Sequence, residues 1–268
     1  MKDIPLGAML ETAVMAARRA GDIQRDRFGG ELRVLALLEG DIKLEADQLC
    51  EAAIMETIRS RFPDHAVLAE EGGKTDGAEF IWYVDPLDGT VNYYFGIPHF
   101  CSTLACYRQS ADAAGGLGVP VIGVTYAVME GGLYCAAAGR GATANGVAAR
   151  VREEESLEDA LVIAALGNTP GKLVFTRQVT LELSKRIRKT RNLGAAALDL
   201  AYVASGKASA FVEYGVNPWD VAAGVALVEA AGGKATVRPI RGRLAIVASG
   251  RNIHDELVDS LSWYDPEK

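Results

Sequence analysis

Six consecutive residues, Asp85-Pro86-Leu87-Asp88-Gly89-Thr90, carry the strongest chemical signal in this 268-residue chain. They follow an apolar run, Phe80 to Val84, that reads as a buried strand. Asp85 therefore stands where a strand delivers residues to the C-terminal edge of a sheet, the edge at which α/β proteins bind ligands. Asp at the first position and Pro at the second suit a type I turn. Such a turn would bring Asp85 and Asp88 to one side, with the Leu87 carbonyl near them. Two carboxylates held that close repel unless one is protonated or a cation bridges them. No His or Cys stands nearby, so the donors are all oxygens, and a hard ion such as Mg²⁺ suits them. Gly89 lets backbone approach a ligand, and Thr90 adds a hydroxyl. Asp-Pro and Asp-Gly are also ordinary turn formers, so either pair alone would mean little.

Three further acidic clusters could complete a site. Glu70-Glu71 closes a short apolar strand, Val67 to Ala69. Glu45-Ala46-Asp47 opens a helix, where acids also answer the helix dipole. Asp220 follows Asn217-Pro218-Trp219. Asn217 is a good N-cap and Pro218 a good first helical residue, so Asp220 falls in the first turn. Each cluster has a plain structural explanation when taken alone.

These residues need a frame. Leu6 to Arg27 reads as a helix, with Leu6, Met9, Leu10, Ala13, Val14, Ala17 and Ala20 recurring at three and four. Glu45 to Phe62 is a second helix that stops before Pro63. Gly29 to Lys43, between them, is a hairpin or mobile loop. Phe100 to Tyr107, Val121 to Val128 and Leu133 to Ala138 read as strands, with turns at Gly131-Gly132 and Asn145-Gly146. The second half alternates: a strand at Ala160 to Ala165, a helix around Val174 to Arg188 and a helix at Ala195 to Ser205. A strand at Ala208 to Tyr214 and a helix at Pro218 to Ala231 follow, then two short strands and a last helix from Ile253 to Leu261. The pattern predicts two α/β layers with a seam near Ala142 to Arg150, dividing the chain into residues 1–144 and 145–268.

The four acidic clusters resemble, in order, those of the inositol monophosphatase family of Mg²⁺-dependent, Li⁺-sensitive sugar phosphatases. The likeness also takes in Asn92, Gly96-Ile97-Pro98, Gly139 to Gly146, Gly194-Ala195-Ala196, Trp219-Asp220-Val221-Ala222-Ala223-Gly224 and Glu229 to Gly233. It implies a layered αβαβα sandwich, of mixed α/β class, with metals at the junction of its halves. It implies that Glu70, Asp85, the Leu87 carbonyl, Asp88 and Asp220 hold two to three Mg²⁺ ions. Asp47, Glu70 and Thr90 would be catalytic, with Thr90 and Asp47 orienting the attacking water and helping to deprotonate it. Substrate contacts would come from Asp88, Gly89, Thr90, Gly194, Ala195, Ala196, Glu213 and Asp220. The substrate would be a small phosphorylated polyol, inositol-1-phosphate first, with the protein a homodimer; a cytoplasmic location is expected separately, from cysteines that suit a reducing compartment. The chain departs from the family pattern at Leu44, where Thr is usual, and at Gly72, where Ser is frequent. Ala195 replaces a hydroxyl residue common in animal members.

Composition narrows the alternatives. Hydrophobic residues make up 49% and charged residues 24%, the mix of a folded soluble protein. The net charge is −7, which gives no electrostatic footprint for nucleic acid or an anionic membrane. No apolar stretch reaches the ~20 residues that cross a bilayer. Cys50, Cys101, Cys106 and Cys135 form no C-x-x-C pair and read as free thiols. Gly139 to Ala144 fits a loose dinucleotide fingerprint, but a turn follows it where a helix would be needed. His65, His99 and His254 are scattered. Fructose-1,6-bisphosphate is the main rival substrate, ahead of histidinol-phosphate or a nucleotide 3′-phosphate. A non-catalytic, cation-responsive binding protein is the rival of another class; it would not need the water-activating Thr90 and Asp47.

Overall fold

The computed structural model describes residues 5–38, 41–77, 79–110, 116–164, 181–240 and 242–261. Helix α1 spans Leu6–Arg27 and α2 spans Glu45–Arg61, matching the predicted spacing. The buried face of α1 is lined by Met9, Ala13, Ala16, Ala17 and Ala20, small side chains that let it lie close on a sheet. Between the helices, β1 (Val34–Leu38) and β2 (Asp41–Leu44) pair as an antiparallel hairpin. Gly40, in the expected mobile loop, lies outside the described residues.

The larger sheet has eight strands. They are β3 (Ala66–Ala69), β4 (Gly73–Thr75), β5 (Phe80–Asp88), β6 (Cys101–Arg108), β7 (Val119–Ala127), β8 (Gly132–Ala137), β9 (Gly141–Ala144) and β10 (Val147–Ala148). Their spatial order is β10-β9-β8-β7-β6-β5-β3-β4. Only the β3–β5 pair is parallel. The short helix α3 (Thr90–Tyr94) follows β5. Asn145 and Gly146, both at positive φ, form the β9–β10 turn. A strand therefore follows Gly139 to Ala144, so the dinucleotide pattern lacks its helix.

The second sheet contains β11 (Leu161–Ala164), β12 (Lys189–Arg191), β13 (Ala210–Val216), β14 (Lys234–Ile240) and β15 (Arg243–Ser249), in the order β12-β11-β13-β15-β14. Helices α4 (Ala196–Ala204), α5 (Pro218–Ala230) and α6 (Arg251–Leu261) complete this part. The helix expected around Val174 to Arg188 falls mostly outside the described residues, and 181–184 is helical.

The layers run αβαβα. Helices α1 and α2 cover one face of the large sheet, and α4 and α5 lie between the two sheets. Ile253 and Leu257 of α6 pack against the outer face of the second sheet. Strand β5 is buried along its whole length, with Trp82 and Val84 toward α1 and α2 and Ile81 and Tyr83 toward the middle layer. Burial on both faces explains why its sequence is a continuous apolar run without alternation. The middle helices touch closely: a Cβ added at Gly224 of α5 would come within 2.4 Å of Leu200 Cβ of α4. Tyr107 Oη of β6 donates to Ala222 O of α5 at 2.7 Å, tying the middle layer to the large sheet.

Candidate active site

The end of β5 differs from the expected type I turn. Asp85 pairs with Thr103 and Asp88 with Cys101, so three steps on β5 oppose two on β6. This is a bulge. In a regular strand, residues three apart point to opposite faces. The extra residue restores parity, and Asp85 and Asp88 both face the middle helical layer. Pro86 lacks an N–H, which the interrupted ladder tolerates. The Leu87 N–H donates to Asp85 Oδ1 at 3.1 Å, which fixes the kink locally.

Asp88 is buried beneath the start of α4. Its carboxylate accepts from the amides of Ala196 (3.2 Å), Ala197 (2.8 Å) and Leu198 (3.4 Å), filling donors that α4 cannot satisfy itself. Burial, then the nearby Asp199 carboxylate, pushes Asp88 up to about 7. Asp85 is held well above its ordinary value by burial, then by the charges of Glu70, Asp88 and Asp220, and by a hydrogen bond with the Glu70 carboxyl. These causes place Glu70, Asp88 and Asp220 within electrostatic reach of Asp85. Glu70 arrives on the parallel strand next door, where its N–H donates to Val84 O at 3.2 Å. Asp220 arrives in the first turn of α5, and its Oδ2 accepts from Asn217 N at 2.6 Å. Trp219 beside it packs against the main core.

Thr90 joins this group to Asp47. Its hydroxyl lies 2.9 Å from Leu87 O and 3.3 Å from Asp47 Oδ1. Asp47 is buried in the first turn of α2, where its Oδ2 accepts from Leu44 N at 2.7 Å. Burial, the largest influence, pushes Asp47 up to about 7. Leu44, in place of the family's Thr, is buried and leaves that side-chain cap to Asp47 alone. Gly89 is the left-handed hinge between Asp88 and Thr90, at φ +89°.

The expected substrate contacts are less uniform. Gly194 holds φ +86° beside Asn92, whose amide donates to the carbonyls of Leu193 and His99 at 2.8 Å each. Ala196 is half-buried. Ala195 is buried, with its methyl against the Gly89 hinge. Glu213 lies inside β13 opposite Ile246, not at the strand end. Gly215, at φ +84°, makes a bulge there and lets the strand run on to Val216.

The spacing gave no sign of two other groups. Lys43, next to last in β2, holds its ammonium 2.5 Å from both Glu70 Oε1 and Glu71 Oε1. Burial lowers its proton affinity, but Glu70 and Glu71 outweigh that and raise it. Glu51 accepts from Glu71 N at 2.8 Å, and a Cβ at Gly72 would come within 2.8 Å of Glu51 Oε1. His99 Nε2 lies 2.9 Å from Asp199 Oδ1, a pairing of residues a hundred positions apart that no local pattern reveals.

The donor chemistry fits hard cations. The cluster offers carboxylates and the Leu87 carbonyl, and burial, then the neighbouring carboxylates, raises its buried members. Among the described residues, no three His, Cys, Asp or Glu side chains are drawn together as a ready cage.

The profile of the inositol monophosphatase family matches residues 6–258. The chain belongs to that family. It is 37% identical over 236 residues to a protein named Nus factor SuhB from Pseudomonas aeruginosa, covering 84% of this chain and 83% of the relative. It is 37% identical over 224 residues to the fructose-1,6-bisphosphatase/inositol-1-monophosphatase of Thermotoga maritima, with 81% of each covered. The solved inositol monophosphatase of Anabaena superposes with a TM-score of 0.80 at 34% identity, covering 98% of both chains. The chain is thus a member of a metal-dependent phosphatase family, acting on small phosphorylated substrates. Among the described residues, no helix is long and apolar enough to cross a membrane.

A pH dependence follows from the raised carboxyls. Asp47 and Asp88 release protons near 7 when folded, against 3.8 ordinarily. Between those values the folded chain holds protons that the unfolded chain has lost, so stability falls as pH rises. The unfolding midpoint of the metal-free protein should fall by about 4 °C or more between about pH 5 and pH 8. Saturating Mg²⁺ should flatten the slope, because a cation then does what the protons did. Thermal melts across this range are the check, and a midpoint that climbs with pH contradicts the assignment.

Proposed function

We propose that this chain is a Mg²⁺-dependent phosphomonoesterase that hydrolyses inositol-1-phosphate to inositol and phosphate, and that Li⁺ inhibits it. The observation that carries this reading is the buried Asp85 within electrostatic reach of Glu70, Asp88 and Asp220, with Thr90 in contact with Asp47 close by. Glu70, Asp85, Leu87 O, Asp88 and Asp220 would hold the ions. Bound there, two Mg²⁺ ions supply hydroxide at neutral pH and a sink for charge on the leaving oxygen.

The chain's own groups handle the proton and the orientation. If the Thr90 hydroxyl turns its hydrogen from Leu87 O to Asp47, it frees that carbonyl. The Thr90 oxygen can then accept a hydrogen bond from the attacking water. Asp47, poised near 7, is suited to take the proton at neutral pH. Amides at the Gly89 hinge favour a phosphate in front of them. A substrate panel with inositol-1-phosphate, fructose-1,6-bisphosphate, histidinol-phosphate and 3′-phosphoadenosine-5′-phosphate tests the assignment. A preference for any of the last three refutes it.

The name of the Thermotoga relative supports fructose-1,6-bisphosphate as a second reading. Glu213 separates the two. A carboxylate there accepts hydrogen bonds from neighbouring ring hydroxyls and repels a second phosphate. Glu213→Gln should lower kcat/KM for inositol-1-phosphate by roughly 1–3 kcal/mol. It should leave Mg²⁺ dependence intact and raise the relative use of the bisphosphate. Wild-type kinetics on both substrates would make Glu213 a bystander.

A further inference from the structure

Glu70 has a different neighbour on each side. Its Oε1 meets the Lys43 ammonium at 2.5 Å, and its carboxyl also bonds to Asp85. The same ammonium reaches Glu71 Oε1 at 2.5 Å. Lys43 is 20% exposed, set between Ile42 and the buried Leu44. Glu51 holds the corner it clamps from the other side, accepting from the Glu71 amide at 2.8 Å. Two adjacent carboxylates fixed in one turn need a counter-charge. An ammonium offers three donors, enough for both oxygens.

We propose that the Lys43 ammonium is a resident cation of the carboxylate nest, occupying the outer side of Glu70 and leaving it to serve a divalent ion only on its Asp85 side. The inference rests on the reading of Glu70 and Asp85 as metal-holding residues. A tethered cation is present at high effective concentration whatever the solution contains. Mg²⁺ must shed tightly held water to take its place. The chain therefore holds one divalent ion fewer than its carboxylates allow.

The test counts ions, because removing any positive charge nearby strengthens cation binding in general. Mn²⁺ binding is measured by equilibrium dialysis on wild type, Lys43→Met, Lys43→Gln and Lys43→Arg, each checked for folding by thermal melting. Lys43→Met and Lys43→Gln should each bind one additional ion per chain. Lys43→Arg, which keeps the charge, should bind as wild type does. Adding Glu70→Gln to Lys43→Met should abolish the gain. Equal stoichiometry in wild type and the neutral variants overturns the proposal and leaves the metal reading standing. A wild-type protein that binds no Mn²⁺ overturns both. Should Lys43→Met not fold, Lys43→Gln decides; failure of both to fold makes Lys43 a structural tie and overturns the proposal.

Discussion

Removing divalent cations with a chelator should abolish phosphate release, and returning Mg²⁺ should restore it. Asp85 is buried among three other carboxyls, and its repulsion from Glu70, Asp88 and Asp220 is relieved only by protons or cations. Protons alone would leave nothing to stabilise the charge that develops on the leaving oxygen. Asp220→Asn is the cleaner single substitution, because the Asn amide oxygen can still accept from Asn217 N and keep the start of α5. Asp88 is less clean, since it also caps α4. The loss on Asp220→Asn should be at least about a hundredfold in turnover, or ~2.7 kcal/mol of transition-state stabilisation. Phosphate release that persists in excess chelator would remove the metal mechanism altogether.

Gly89→Ala should damage both stability and activity. Gly89 sits at φ +89°, where an L side chain is strained. Its Cβ would also lie 2.9 Å from His99 O and 3.1 Å from Ala195 Cβ. Neither neighbour is a flexible side-chain end that can swing away. Strain of this kind costs roughly 1–3 kcal/mol, which lowers the melting midpoint by about 2–10 °C in a chain of this size. The activity loss should exceed tenfold, because Gly89 sets the angle between Asp88 and Thr90 and a small misplacement at the chemistry is costly. Melting curves and steady-state kinetics report the two effects separately. A variant that melts and turns over like wild type would show that the hinge relaxes freely.

Much of the frame was legible in the sequence because it depends on local periodicity. The three- and four-residue spacing of α1 gave its limits, and Pro218 after Asn217 marked the start of α5. The identity of the site was legible for another reason. Asp85-Pro86-Leu87-Asp88-Gly89-Thr90 is one continuous segment, so its donors need no distant contact to be recognised together. Glu70, Asp47 and Asp220 were assigned through the family resemblance, not through spacing.

Only the tertiary structure decided how these groups meet. Whether Asp85-Pro86 turns or bulges depends on pairing with β6, since Thr103 and Cys101 supply the register that sets both carboxylates on one face. The extension of β13 past Glu213 likewise depends on its pairing with β15. The burial of Ala195 follows from the approach of the Gly89 hinge. Lys43 and Glu70 are 27 positions apart, and His99 and Asp199 are a hundred apart. A sequence shows which charges a chain carries. Which pairs share a low-dielectric pocket is fixed by the packing of layers, and that packing sets whether a carboxyl keeps its ordinary proton affinity or waits for a cation.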